Sequence, residues 1–157
     1  MKRSPALFFR PMTGSDPRSQ CAALCWRRVQ GHVEVLLITS RETGRWVIPK
    51  GWPIEGQPET EGATREAWEE AGVQGQIGAA CLGVYSYDKV FDRAGEAPQA
   101  VPCMVAVYAM QVTALRKDFP EASERRIKWF SPDKAARKVV EPDLAALIAG
   151  FQPDAAG

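Results

Sequence analysis

Cysteine is scarce and unpatterned: Cys21, Cys25, Cys81 and Cys103 are the four present, none spaced C-x-x-C, and each sits within an apolar run. That argues against a zinc ribbon or a disulfide framework and predicts buried, reduced thiols. Histidine occurs once, and His32 falls in a predicted hairpin turn, where a solvent-exposed residue is expected rather than a catalyst or ligand. Neither sign of charge dominates, since 20 Lys and Arg meet 19 Asp and Glu for a net charge of +1. The global balance therefore calls for neither nucleic acid nor an anionic membrane, and any hold on anions must come from local placement of cations. Long apolar runs are absent too. The stretch Ala6 to Phe9 is broken by Arg10-Pro11, too short for a secretory core, and nothing elsewhere would span a bilayer. These absences predict a soluble cytoplasmic protein without internal repeats.

What is present reads as one compact domain. Hydrophobic residues make up 45% and charged residues 25%, ordinary values for a globular chain. Residues 1–18, with Pro5, Pro11, Gly14 and Pro17, are expected to form an irregular arm, and residues 19–152 the domain. The apolar run Gln20–Val29, the turn Gln30-Gly31 and Val33–Thr39 predict a hairpin. A short strand follows at Trp46–Ile48. Pro58 is well suited to open a helix that runs to Ala71, and Gly72 to end it. Two long strands are expected at Ile77–Tyr87 and Val101–Leu115, joined by a polar connection over residues 88–99. A last strand at Arg126–Phe130, a helix capped by Ser131 and a helix over Pro142–Phe151 complete the reading. Strands dominate, which predicts an α+β fold, a mixed sheet or sandwich flanked by helices.

The informative segment is GWPIEGQPETEGATREAWEEAGV, residues 51–73. With about 100° per residue, Glu66 at 0° places Glu69 at about −60° and Glu70 at about +40°. Three carboxylates share one arc, with Thr64, Ala67, Trp68 and Ala71 expected on the far side and small alanines allowing close approach to a sheet. Acidic helix faces are common and mostly without function, so acid content alone favours a solvated surface. Clustered carboxylates also suit a hard divalent cation, which takes oxygen ligands and leaves positions for water and phosphate. Such an ion can polarise a phosphoryl oxygen and lower the pKa of bound water. Arg65 stands beside the cluster, placed to orient a carboxylate.

Residue by residue, the segment resembles the Nudix box, G-x5-E-x7-R-E-U-x-E-E-x-G-U with U aliphatic. Gly51, Arg65, Glu66, Glu69, Glu70, Gly72 and Val73 match in register. Two positions depart: Gln57 stands for the first Glu, and Ala67 for the first U; Glu55, Glu59 and Glu61 lie near enough to replace the missing acid. The resemblance implies a Nudix fold with helices flanking the mixed sheet (α/β/α). It also implies a magnesium-dependent hydrolase, with manganese as a substitute, that cuts a phosphoanhydride in a nucleoside diphosphate linked to another group. It assigns Glu66 and Glu70 as first metal ligands and Glu69 as a third ligand or a base through water, with Arg65 in the catalytic set. A base from outside the box is sought among Glu121, Glu124, Asp88 and Asp92.

Outside the box, CAALCWRR, EVLLITSRETGRWVIPKG and RRIKWFSPDKAARKV are similar to the diphosphoinositol and diadenosine polyphosphate phosphohydrolase branch, over about residues 18–140. By that likeness Arg18, Arg41, Arg45, Lys50 and Gly51 grip a polyphosphorylated substrate, while Gln20 replaces a base common in the branch. Trp52, Tyr85, Tyr87 and Phe91 are candidates for stacking on a nucleobase, though such aromatics more often pack. A diadenosine polyphosphate or diphosphoinositol polyphosphate is the expected substrate class. A domain that binds a nucleotide without cleaving it is the alternative that Gln57 motivates. The expected partner is a small phosphorylated molecule, with no nucleic acid or membrane, and the chain a monomer or homodimer.

Overall fold

The computed structural model describes residues 18–91 and 94–153. The elements are β1 (Ser19–Val29), β2 (His32–Thr39), β3 (Trp46–Val47), β4 (Lys50–Gly51), α1 (Glu59–Ala71), β5 (Val73–Phe91), β6 (Gln99–Leu115), β7 (Ile127–Phe130), α2 (Pro132–Lys138) and α3 (Pro142–Ala149). Of the expected arm, only Arg18 falls among the described residues.

β1 is the spine of a seven-stranded mixed sheet ordered β3-β2-β1-β6-β5, with β4 also on β1 and β7 on β2. It runs parallel to β6 and antiparallel to β2 and β4. A strand covered on both faces needs apolar side chains on both, so its centre, residues 21–26, is a continuous apolar run without alternation. Ala22, Leu24 and Trp26 point to one core with Val35, Leu37, Phe130, Leu144 and Ile148. Cys21, Ala23 and Cys25 point to the other with Leu36, Ile38, Ala63, Ala67 and Ala71. Helix α1 covers the second face and α2 with α3 the first, so the expected α+β sandwich is what forms. Among the described residues no helix is long and apolar enough to cross a membrane.

Several local expectations change. Gln30 and Gly31, both at positive φ (53° and 82°), make the hairpin turn, and His32 is the exposed first residue of β2 rather than a turn residue. β5 and β6 stay paired from Val73↔Leu115 out to Phe91↔Gln99, well past the expected ends. Backbone ladder bonds, not burial, hold this outer part, which is why hydrophobic pattern missed it. Pro58 is the residue before α1 rather than its first turn. α3 stops at Ala149, and Phe151 turns back edge-on to Trp26, 5.9 Å between ring centres. Three cysteines are buried as expected, but Cys81 is exposed on β5.

α1 lies close to the sheet because its inner face is Gly62, Ala63, Ala67 and Ala71. A Cβ on Gly62 would come within 2.7 Å of Cys21 Sγ. Gly72 ends the helix at φ 68°, its N–H reaching the Ala67 and Trp68 carbonyls. It is confined as well: a Cβ there would sit 2.5 Å from the Arg116 carbonyl and 2.5 Å from the Phe119 ring. Gly72→Ala should therefore destabilise by about 1–3 kcal/mol, from left-handed strain and the clash together. Urea unfolding measures this, and an unchanged midpoint would contradict the packing described.

Candidate active site

The site forms where β4 crosses the end of β1 beneath α1. Lys50 and Gly51 are held by pairing with Ala22 and Cys21. The Lys50 backbone N–H donates to Glu70 Oε1 at 3.3 Å. Gly51 faces Glu66 so closely that a Cβ would lie 2.5 and 2.7 Å from its two carboxyl oxygens. Only glycine lets strand and carboxylate approach this far.

Angular position on α1 did not reveal environment. Glu66 and Glu70 belong to the helix's buried face, with Gly62, Ala63, Ala67 and Ala71. The acidic arc and the packing face thus overlap, where the sequence suggested that they oppose each other. Glu69, at the outer edge of the arc, is 39% exposed and 4.0 Å from Arg65. Trp68, on the outer side, tilts against Phe119 at 6.4 Å between centres.

A cavity of about 440 Å³ opens onto this pair. Four acids line it (Glu42, Glu66, Glu70, Glu121), four cations (Arg41, Lys50, Lys89, Arg125), and also Trp52, Tyr87, Gln20, Ser40 and Gly51. Of the expected residues the structure thus gathers Glu66, Glu70, Arg41, Lys50 and Gly51, with Glu121 from the candidate bases and Trp52 and Tyr87 from the candidate stacking aromatics. Arg65 stands behind them, donating to the Trp52 carbonyl at 3.3 Å and lying 3.6 Å from Glu66. Glu69, Arg18, Arg45, Glu124 and Asp88 do not line the cavity. Arg45 is bound at 2.7 Å to the buried Glu141, and Glu124 bonds to Arg41 at 2.9 Å. Tyr85 is fully buried, and Tyr87 donates to Gln20 Oε1 at 2.6 Å. Asp92 and the Phe91 side chain lie outside the described residues.

Sequence reasoning missed Arg125. It is 8% exposed and donates to Glu121 at 2.8 Å and to the Thr39 carbonyl at 3.0 Å, with Glu70 at 3.7 Å. It thereby fixes Glu121 beside Glu70, and the Glu121 N–H reaches the Glu69 carbonyl at 3.0 Å. Lys89 is a further lining residue that no sequence signal had marked, and Gln20, noted in the sequence as replacing a basic residue of the branch, lines the cavity too. Gln57 is exposed and does not line the cavity. The box arginine makes its contacts without it.

Burial raises the Glu70 carboxyl to about 8, against the pull of Arg125, and burial likewise raises Glu66. Burial lowers Lys50, opposed by Glu70. Each carboxyl group also influences the other: the charge of Glu66 adds to the rise at Glu70. Two carboxylates this close and this dry do not both ionise without an added positive charge. Among the described residues no three His, Cys, Asp or Glu groups converge as a complete metal cage. A two-carboxylate pair on an open cavity instead suits a cation that retains waters and takes phosphate oxygens.

The raised Glu70 has a stability signature. Its folded pKa of about 8 lies above the ordinary 4.5, so between those values the folded state binds more protons and loses stability as pH rises. Without divalent ions, the stability of the wild type relative to Glu70→Gln should fall as pH rises through that window, by at most a few kcal/mol. Thermal unfolding of both proteins in chelator across this range measures it. A difference that stays constant with pH contradicts the burial argument.

The sequence and fold can be placed among known proteins. The NUDIX domain profile matches residues 18–151. Human diphosphoinositol polyphosphate phosphohydrolase 3-alpha is 32% identical over 123 residues, 76% of this chain and 68% of the relative. The Arabidopsis thaliana mitochondrial Nudix hydrolase 16 is also 32% identical, over 120 residues, 76% of this chain and 66% of its own. In fold, the C. elegans Ap4A hydrolase superposes with a TM-score of 0.59 at 21% identity, covering 83% of this chain and 92% of that one. The E. coli dihydroneopterin triphosphate pyrophosphohydrolase gives 0.64 at 17% identity, covering 85% and 94%. Nudix hydrolases generally use a divalent metal. With the box in register on α1 and the family match spanning nearly every described element, this chain belongs to the Nudix hydrolase family.

Proposed function

We propose that the chain is a magnesium-dependent hydrolase of a nucleoside diphosphate linked to a further group, with a diadenosine polyphosphate or a diphosphoinositol polyphosphate as substrate. The observation that carries this is the buried Glu66–Glu70 pair on a cavity whose other walls present Lys50, Arg41, Lys89 and Arg125. Carboxylates for a cation and cations for phosphate share one space of about 440 Å³. A relative of 32% identity is a diphosphoinositol polyphosphate phosphohydrolase, and a fold neighbour is an Ap4A hydrolase.

Glu66 and Glu70 would hold the divalent cation, which when bound polarises a phosphoryl oxygen and acidifies water. Lys50 and Lys89 present ammonium groups to the phosphate chain as point charges. Lys50 is steadied over the Tyr87 ring, 4.9 Å from its centre. Arg41 supplies a guanidinium at the outer rim, 55% exposed and tethered to Glu124. Trp52, half-buried on the same wall with Lys89 5.9 Å above its ring, offers a face for a nucleobase. Glu121 is the acceptor for the water's proton, oriented by its bond to Arg125. Glu69 stays at the edge as a ligand or base through water, and Arg65 orients Glu66.

A nucleotide-binding domain without turnover is the competing reading, motivated by Gln57. It draws less support, because Gln57 stands apart from the cavity and Arg65 has its contacts without it. The test is a panel of diadenosine polyphosphates and diphosphoinositol polyphosphates with magnesium or manganese, products separated and identified. Cleavage is expected, with Glu70→Gln lowering kcat by at least about 100-fold while folding is retained. Tight binding without products over hours would favour the binding domain. Unchanged turnover in Glu70→Gln would remove this residue from the metal site.

A further inference from the structure

A second cavity, of about 290 Å³, lies between β7 and α2 and is lined by Lys128, Phe130, Lys134, Arg137 and Lys138. It shares no residue with the active-site cavity. Four cations thus surround one ring, with no acid in the lining. The local fold explains the grouping. On β7, Lys128 and Phe130 share a face, because alternate strand residues point the same way. On α2, Lys134, Arg137 and Lys138 are spaced i, i+3 and i+4 and so crowd one side, while Ala135 is buried and Val139 beyond the helix end nearly so. Phe130, 4% exposed, forms the floor, with Lys128 and Lys138 ammonium groups 5.4 and 5.9 Å from its ring centre.

Elsewhere cations are partly paired: Lys50, Arg116, Lys117 and Arg126 make no ion pair with a described carboxylate, but they are not grouped in one acid-free cavity. Arg27, Arg41, Arg45, Arg65 and Arg125 each pair with a carboxylate. None of the four cations here makes an ion pair with a described carboxylate. Like charges at these helix spacings repel, and a chain whose net charge is only +1 has acids available to relieve them. Three ammonium groups and one forked guanidinium around a concave, apolar floor match a compact anion of several charges. The volume, about that of ten water molecules, accommodates a few linked phosphates. Four cations gathered around one small cavity suit a compact anion better than a nucleic-acid strand, which a longer basic stripe would track.

We propose that this pocket binds a compact oligophosphate at a site separate from the one where cleavage occurs. Because the two cavities share no lining residue, binding here can be removed by substitution without touching the site of cleavage, and the proposal stands whether or not the catalytic reading does. The probe is inorganic tripolyphosphate, titrated into the full chain in chelator at fixed ionic strength and followed by amide NMR. Saturable shifts are expected at Lys128, Phe130, Lys134, Arg137 and Lys138, separately from any at Lys50 and Gly51. In the double variant Lys134→Ala, Arg137→Ala the first set should weaken at least about tenfold while the second is unchanged. Both side chains are exposed, and the Lys134 backbone bond to the Ser131 cap survives the change, so folding is retained. The result is checked with Lys128→Gln, which leaves α2 intact. Shifts that never saturate, that potassium chloride reproduces, or that persist in both variants would overturn the proposal. So would tighter binding at this face by a single-stranded oligonucleotide than by tripolyphosphate.

Discussion

Everything at the active site depends on two carboxylates being buried against a glycine. α1 can carry Glu66 and Glu70 inward only because its neighbours on that face are Gly62, Ala63, Ala67 and Ala71, which let the helix backbone approach β1. β4 meets the carboxylates only because Gly51 has no side chain. The result is a helix with a sheet-facing stripe that is partly acidic. In isolation that stripe is unfavourable, since each ionised carboxylate loses hydration. Raised pKa values at both groups express that tension. A divalent cation bound as proposed would relieve it, and so would couple the fold's local instability to the chemistry proposed.

The surrounding charges are organised around the pair. Arg125 is nearly buried and reaches Thr39, Glu121 and Glu70, joining β2, the segment before β7 and α1. Removing it would leave Glu121 without its side-chain donor and Glu70 without its nearest guanidinium, so it positions these acids as well as lining the cavity. Arg45, partly exposed, and the buried Glu141 form a separate pair on the α3 side. At the far end of the sheet, the Lys128, Lys134, Arg137, Lys138 pocket keeps its positive charge unpaired with any described acid. One cavity thus mixes four acids with four cations while the other is lined by cations without an acid, although the net charge is only +1.

Much of this was legible in the sequence, for identifiable reasons. The helix stop at Gly72 and the apolar centre of β1, residues 21–26, each follow from local rules that tertiary structure did not override, and the box residues Arg65, Glu66, Glu69 and Glu70 fall on α1 as their spacing implied. The α+β sandwich followed from strand count and the placing of the helices. Three kinds of information were not legible. A helical wheel gives angles but not the direction of the sheet, and small alanines gave too weak an apolar signal to fix it, so Glu69 was grouped with its buried neighbours. Contacts between distant segments, such as Arg125 to Thr39, 86 positions apart, have no sequence marker. Strand length beyond the core, as in the outer β5–β6 hairpin, rests on backbone pairing that hydrophobicity does not report.

The most direct test of the account is calorimetric titration of manganese into the wild type and Glu70→Gln near neutral pH, in two buffers of different ionisation enthalpy. A raised Glu70 must give up its proton to coordinate an ion, so the account predicts metal binding with proton release in the wild type. It also predicts that Glu70→Gln loses both the affinity and the buffer dependence. Equal affinity in the two proteins, with no proton released by either, would contradict the claim that the buried Glu66–Glu70 pair is built for a divalent cation.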